Sequence, residues 1–258
     1  MSFAGMPNML DGKVIMVTGA SSGIGAAAAR LFVERGATVV VMARRQDRLT
    51  ALVKEIAGAG GRASASAGDV TSVDDVRRAV ATAVDTYGRL DGAFNNAGWA
   101  TAGSLIHETD DSVFDQIVDI NLRGVWNCVK HQVPAMLAGG GGSIVNTAST
   151  AGLVATGAIA PYVAAKHAVI GLTKAAAAEY GERGIRVNAL VVGATLTELM
   201  EEVLTATPSL AEPFTSRSLQ KRMAAPVEVA EAAAWLCSDA SSFVTGAPVP
   251  VDGGWTAA

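Results

Sequence analysis

Two hydrophobic rhythms alternate along the chain. Short, nearly unbroken apolar runs read as strands: KVIMVT at Lys13–Thr18, ATVVVMA at Ala37–Ala43, Arg62–Val70, Leu90–Phe94, SIVNTAS at Ser143–Ser149, Ile185–Val191 and Ala247–Val251. Runs of that kind belong to strands covered on both faces. Between them lie longer segments whose apolar positions return every three or four residues, as an amphipathic helix requires. These are AAAARLFVERG after a glycine-rich turn, QDRLTALVKEIAG, Ser72–Tyr87 with a Ser cap and acids at Asp74 and Asp75, a long helix over about Asp111–Leu137, Ala160–Tyr180, and Pro226–Leu236. Residues 193–225 are irregular with short helical patches. Strands alternating with helices predict an α/β fold: one doubly wound, mostly parallel, seven-stranded sheet with right-handed crossovers and helices on both faces. Residues 1–11 read as a loose tail and 12–258 as a single domain, since no shift in composition divides them.

Composition narrows the function. Of 258 residues, 50% are hydrophobic and 17% charged, which suits a compact apolar interior and argues against disorder. A net charge of −4 gives no electrostatic case for nucleic acid. No apolar run reaches membrane-spanning length and the start lacks a secretory pattern, so a cytoplasmic protein is expected. Cys128 and Cys237 lie far apart with no His partner, which predicts buried thiols and no metal site.

The chemistry begins at the first strand. It runs into GASSGIG, placing Gly19, Gly23 and Gly25 between a strand and a helix, with Ser21, Ser22 and Ile24 among them. Such a turn lets backbone approach a pyrophosphate while the helix N-terminus offers its free N–H groups; a glycine turn without a ligand is the alternative. The second strand ends in Arg44 and Arg45 with no acid. An acid there would bind the ribose hydroxyls of NAD, whereas an arginine suits the 2′-phosphate of NADP. NADP(H) is therefore favoured, with Arg44 beside the strand end as the expected phosphate reader; NAD(H) remains possible, and two surface arginines opening a helix are the alternative. In the segment Ala160–Tyr180, Tyr162 and Lys166 are four apart and share a helix face. A nearby ammonium stabilises a phenolate, so the pair is a candidate acid/base. Alone, it equally fits a solvated lysine beside a half-buried ring. His167 follows Lys166 and so points about 100° away around the helix, which favours a packing or surface role, and His107 and His131 lack acidic or cysteine partners at metal-ligand spacing.

TGASSGIG at 18–25, NNAG at 95–98, Asn121, Ser149 and YVAAK at 162–166 occur together in one order, with Ser149 and Tyr162 thirteen apart. In this the chain resembles the short-chain dehydrogenase/reductase family over residues 12–254. The resemblance implies a Rossmann-like fold and a ketoreductase or alcohol dehydrogenase activity. It implies Tyr162 as the acid/base and Lys166 as the group that lowers its pKa and binds the nicotinamide ribose. Ser149 would hold the substrate oxygen, and Asn121 a water relaying protons from Lys166. Asp69 and Val70 would line the adenine site. Asn96, Ala97 and Gly98 would border the ribose and nicotinamide, with Gly193, Thr195 and Thr197 completing that pocket.

Two positions depart from the family pattern. Val192 stands where proline is expected, which should loosen the loop after it. Ala148 replaces a frequent serine, with little effect expected. Residues 193–225 should form a lid over the crevice, with Leu196, Leu199, Met200, Val203 and Leu204 as an apolar stripe. With Trp99, Leu153 and Val154 they suggest an apolar ketone or secondary alcohol. The resemblance also implies a homotetramer, a homodimer being the alternative. Two other functions stay open: an NAD-dependent alcohol dehydrogenase of the same family, and a non-catalytic NADP(H)-binding sensor. The intact Asn121, Ser149, Tyr162 and Lys166 set speaks against the sensor.

Overall fold

The computed structural model describes residues 8–101, 104–155, 158–206, 209 and 211–257. Seven strands form one parallel sheet: β1 (Val14–Thr18), β2 (Thr38–Ala43), β3 (Arg62–Ala67), β4 (Gly92–Asn95), β5 (Gly142–Thr147), β6 (Ile185–Val192) and β7 (Pro248–Val251). Their order across the sheet is β3-β2-β1-β4-β5-β6-β7. The chain therefore winds outward from β1 in one direction, then returns to β4 and winds out in the other. Between β1 and β4 the crossovers part to opposite faces, which opens a crevice at the strands' carboxyl ends.

The alternation within each strand sorts side chains to two cores. Ile15, Val17, Val39, Val41 and Val145 face α1 (Gly23–Glu34), α2 (Gln46–Gly58) and α9 (Pro226–Cys237). Val14, Met16, Val40, Met42 and Ile144 face α3 (Val73–Tyr87), α5 (Gly124–Ala138) and α6 (Ala160–Tyr180). The remaining helices are α4 (Asp111–Val118), α7 (Glu198–Ala206) and α8 (Ala211–Thr215). A chain of amides crosses the second core. Asn95 donates to Gln132 (3.0 Å) and Asn146 (2.9 Å), Gln132 donates back to Asn95 (2.8 Å), and Asn146 donates to the Thr173 hydroxyl (3.0 Å). All four are buried, so each bond replaces water that the core excludes.

Three expectations change. The tail does not extend to residue 11: Leu10 is fully buried and its N–H bonds Arg35 O at 3.0 Å, because a large apolar side chain beside the first strand has a core to enter. Residues 1–7 lie outside the described residues. The long helix is interrupted: α4 and α5 are joined by a π turn over Asp119–Arg123 that contains Asn121. Such a turn inserts one residue and changes which side chains face inward. Third, Val192 does not loosen its loop. It extends β6 by pairing with Val251, and Gly193 N–H bonds Val251 O at 3.0 Å. Valine stands as a regular member of the ladder where a proline would lack an amide to donate. Among the described residues, no helix is long and apolar enough to cross a membrane. Cys128 and Cys237 are free and buried, and burial pushes both thiols up to about 12.

Candidate active site

The crevice begins at the glycine turn between β1 and α1. Gly19 sits at φ +68° and a Cβ there would meet Ala97 Cα at 2.9 Å. A Cβ on Gly25 would strike Gly19 O, so the turn closes on itself only without side chains. Thr18, buried at the end of β1, accepts the N–H groups of Asn96 (3.0 Å) and Ala97 (3.1 Å). This ties the NNAG loop to the glycine turn across the parting of the crossovers. Ser22 is the N-cap of α1, yet its side chain makes no capping bond. The helix N-terminus and its positive dipole end thus stay available to an anion. Ile24 comes next, packed against the first core.

The arginines divide differently from the order of their positions. Arg45 donates from Nη2 to Ser21 Oγ (2.9 Å) and Ser22 Oγ (2.7 Å), with Nε 3.2 Å from Ser21 Oγ. It forms no ion pair among the described residues, so its charge is met only by hydroxyls. Arg44 is 70% exposed in its side chain and lies 4.0 Å from Asp69 Oδ2. Asp69 Oδ1 accepts the amide and hydroxyl of Thr71, both at 2.9 Å, and Val70 is buried beside them. Arg45 rather than Arg44 reaches the hydroxyls of the glycine turn, which strand-end position alone does not reveal.

At the other end, α6 brings the remaining residues together. Pro161 stands in its first turn, where a missing N–H costs nothing. Lys166 is buried, donates to Thr147 O at 2.9 Å and lies 5.4 Å from the centre of the Tyr162 ring. Burial pushes its pKa down to about 8. Burial also raises the Tyr162 phenol, and a hydrogen bond with Ser149 partly lowers it again. Ser149 Oγ accepts Ala151 N–H at 3.2 Å. Asn121 is fully buried; its amide donates to Trp99 O (2.7 Å) and Ile117 O (3.0 Å) while Oδ1 takes Trp99 N–H at 3.3 Å. A Cβ on Gly98 would stand 3.0 Å from Asn121 Oδ1 and 3.7 Å from Lys166 Nζ, so the absence of a side chain there leaves a niche between them. Ala148 is simply core.

One wall of this end is apolar: Ile117, Ile159 and Ala165 pack with Trp99, Val113, Leu122 and Tyr162. The other is the segment after β6. Thr195 is buried and bridges Ala224, and the methyl of Thr197 lies 3.1 Å from where a Gly23 Cβ would be. Arg48 on α2 pairs with Glu198 at the start of α7 at 2.6 Å. The Leu199 and Val203 side chains of the expected apolar stripe lie outside the described residues. Thr147 carries a buried hydroxyl with no partner among the described residues. Together with the uncapped helix N-terminus and the sterically closed glycine turn, it marks a cradle that fits a dinucleotide.

A family model described as enoyl-(acyl carrier protein) reductase matches residues 19–256. The chain is 51% identical over 249 residues to an A-factor type γ-butyrolactone 1′-reductase (1S-forming) of Streptomyces virginiae, covering 96% of this chain and 97% of that one. It is 42% identical to a cyclohexanol dehydrogenase of an Acinetobacter species, covering 97% and 98%. A levodione reductase of known structure superposes with a TM-score of 0.92 at 34% identity, over 96% of this chain and 99% of that one. The protein belongs to the short-chain dehydrogenase/reductase family. As such it is an oxidoreductase of alcohol and ketone groups, and the family implies a nicotinamide cofactor.

The buried ammonium of this short-chain dehydrogenase/reductase makes stability depend on pH. Lys166 titrates near 8 when folded and near 10.5 when unfolded. Between those values the unfolded chain binds more protons, so this group's contribution rises with pH, by on the order of 3 kcal/mol across the window. Chemical unfolding of wild type and Lys166→Met at several pH values should show the gap moving in favour of wild type from pH 8 to 10. Parallel curves would contradict a buried, destabilised charge.

Proposed function

We propose that the protein transfers a hydride between NADP(H) and a ketone or secondary alcohol, with Tyr162 as the acid/base. The observation that carries this reading is the Tyr162–Ser149 hydroxyl pair beside the buried Lys166 ammonium, in a crevice whose far end offers Arg45 and two serine hydroxyls. When bound, the cofactor gives or takes the hydride. The chain's own residues handle the proton. Burial keeps the Tyr162 phenol neutral, the form that protonates a carbonyl oxygen as it becomes an alcohol; the reverse reaction needs the phenolate. Ser149 holds the same oxygen and stabilises its developing charge. Lys166, being positive beside Tyr162, favours the phenolate and so eases the proton's return. Asn121 Oδ1 keeps one lone pair bordering the niche next to Lys166, which suits a relay water.

At the adenosine end, Arg45 is the principal 2′-phosphate reader, with Arg44 flanking it; no acid stands at the end of β2 to favour NAD. Val70 N–H donates to no group among the described residues, and Asp69 Oδ2 has only Arg44 at 4.0 Å. A free donor beside a free acceptor matches the N1 and amino edge of adenine. Gly19, Ser21, Ser22, Gly23, Ile24 and Gly25 would serve the pyrophosphate. Asn96, Ala97, Gly98, Gly193, Thr195 and Thr197 would serve the ribose and nicotinamide.

The substrate we favour is a ketone or secondary alcohol on or beside a small apolar ring. Trp99, Ile159, Leu153 and Leu196 supply apolar surface, and the γ-butyrolactone reductase and cyclohexanol dehydrogenase are named for ring compounds. Residues 193–225 act as the lid. For assembly, exposed Ala164, Gly171, Ala175 and Ala178 along α6 and half-exposed Trp126 on α5 suit close packing of a second copy, in keeping with a homotetramer.

Tyr162→Phe should leave NADPH binding nearly intact and lower turnover by roughly 10²-fold or more. Retained ketone reduction would remove Tyr162 from its role. Fluorescence titration with NADPH and NADH side by side should show preference for NADPH. Arg45→Ala should raise the NADPH dissociation constant roughly tenfold or more while hardly moving that of NADH, as loss of a charged phosphate contact predicts. Equal changes for both would mean that Arg45 does not read the phosphate.

A further inference from the structure

We infer that Asn127 is a positioning residue for the adenine end of the cofactor, holding the backbone of the Val70–Thr71 turn on which that end rests. This builds on the dinucleotide reading above. Asn127 lies on α5 and is 4% exposed. An asparagine is a poor choice for a buried helix position: it has modest helix propensity, and its amide must be satisfied where water is excluded. Its Nδ2 donates to Val70 O at 3.0 Å and to Thr71 O at 3.4 Å. Both bonds reach across from α5 to the turn that joins β3 to α3.

A second feature of the same helix grips the same turn. Gly124 precedes Asn127 by one helical turn, and a Cβ there would lie 2.6 Å from Val70 Cγ2. The helix therefore sits as close to Val70 as a backbone can, and Asn127 spans the remaining gap. The turn is braced on its other side by Asp69, whose Oδ1 takes Thr71 N–H and Oγ1, and by Asp75, whose Oδ2 takes Asp69 N–H at 2.9 Å. The bracing leaves open the Val70 N–H and Asp69 Oδ2, the two groups suited to adenine. Asn127 thus fixes the carbonyl side of a turn whose amide side faces the ligand.

One helical stretch serves both ends of the crevice. Asn121 lies within its π turn and binds Trp99 and Ile117, beside Lys166; Asn127 lies six positions on and binds Val70 and Thr71. Six positions at about 100° each leave side chains roughly 120° apart around a helix, so the two amides serve different loops.

The test separates the halves of the cofactor. Wild type, Asn127→Leu and Gly124→Ala would be titrated with NADPH, with reduced nicotinamide mononucleotide, which lacks adenosine, and with 2′,5′-ADP, which lacks nicotinamide. Loss of the hydrogen bonds should weaken NADPH and 2′,5′-ADP roughly threefold to tenfold in Asn127→Leu, leaving the mononucleotide unchanged. Hydrogen exchange at the Thr71 amide should quicken. Gly124→Ala disturbs the turn by crowding and should show the same split, which keeps the test standing if Asn127→Leu fails to fold. Equal weakening of all three ligands, or none of any, would overturn the inference while wild-type binding upheld the cofactor reading. Failure of wild type to bind either dinucleotide would overturn both.

Discussion

One ammonium group, buried at the carboxyl end of the sheet, sets the terms for the catalytic end. Taking the Lys166 charge out of water is costly, and the single backbone carbonyl of Thr147 offsets only part of it. The arrangement persists because α6 is held rigidly where the charge must lie. Thr173, seven residues further along the same helix, is bonded through Asn146 to Asn95 and Gln132 in the core. This chain of amides fixes α6 against β4, β5 and α5, and gives the helix a register as well as an apolar contact. Tyr162 and Ser149 then meet without further adjustment, from elements whose positions the network has already set.

At the other end the constraint is steric. Gly19 and Gly25 touch, and Thr18 draws the NNAG loop against them, so the parting of the crossovers is narrow and lined by backbone. Arg45, meeting only serine hydroxyls, supplies positive charge where the α1 N-terminus already supplies a dipole. The segment after β6 meets this end as well: Thr197 packs on Gly23, and Glu198 pairs with Arg48. An exposed pair of that kind is worth about 0–1 kcal/mol, so it holds the segment only weakly.

Much of this was legible in the amino-acid sequence because it is local. Apolar runs and helical periodicity place all seven strands and the main helices, and the Ala160–Tyr180 helix has the bounds its residues predict. The candidate residues cluster because the chain reaches one crevice from successive strand ends, which the alternating pattern already implies. The features that escaped depend on tertiary contact. Leu10 reads as tail until a core is there to receive it. The π turn at Asn121 carries no marker in its residues. Val192 reads as a loosened loop until β7 is beside it. Which arginine reaches the glycine turn depends on the Ser21 and Ser22 hydroxyls, not on strand-end position. Asn127 belongs to no motif, and a buried polar residue on an apolar helix face was its only signal.

The central proposal is hydride transfer at a carbinol carbon within this crevice. The decisive experiment is mass spectrometry of the alcohols formed from a panel of ring-bearing ketones with NADPH deuterated at C4 of the nicotinamide. One deuterium should appear on the carbinol carbon, from one face of the nicotinamide only, and Tyr162→Phe should form this product more slowly by roughly 10²-fold or more. Alcohol formed without deuterium from either face, or no alcohol from any ketone by a protein that binds NADPH, would contradict the proposed reaction.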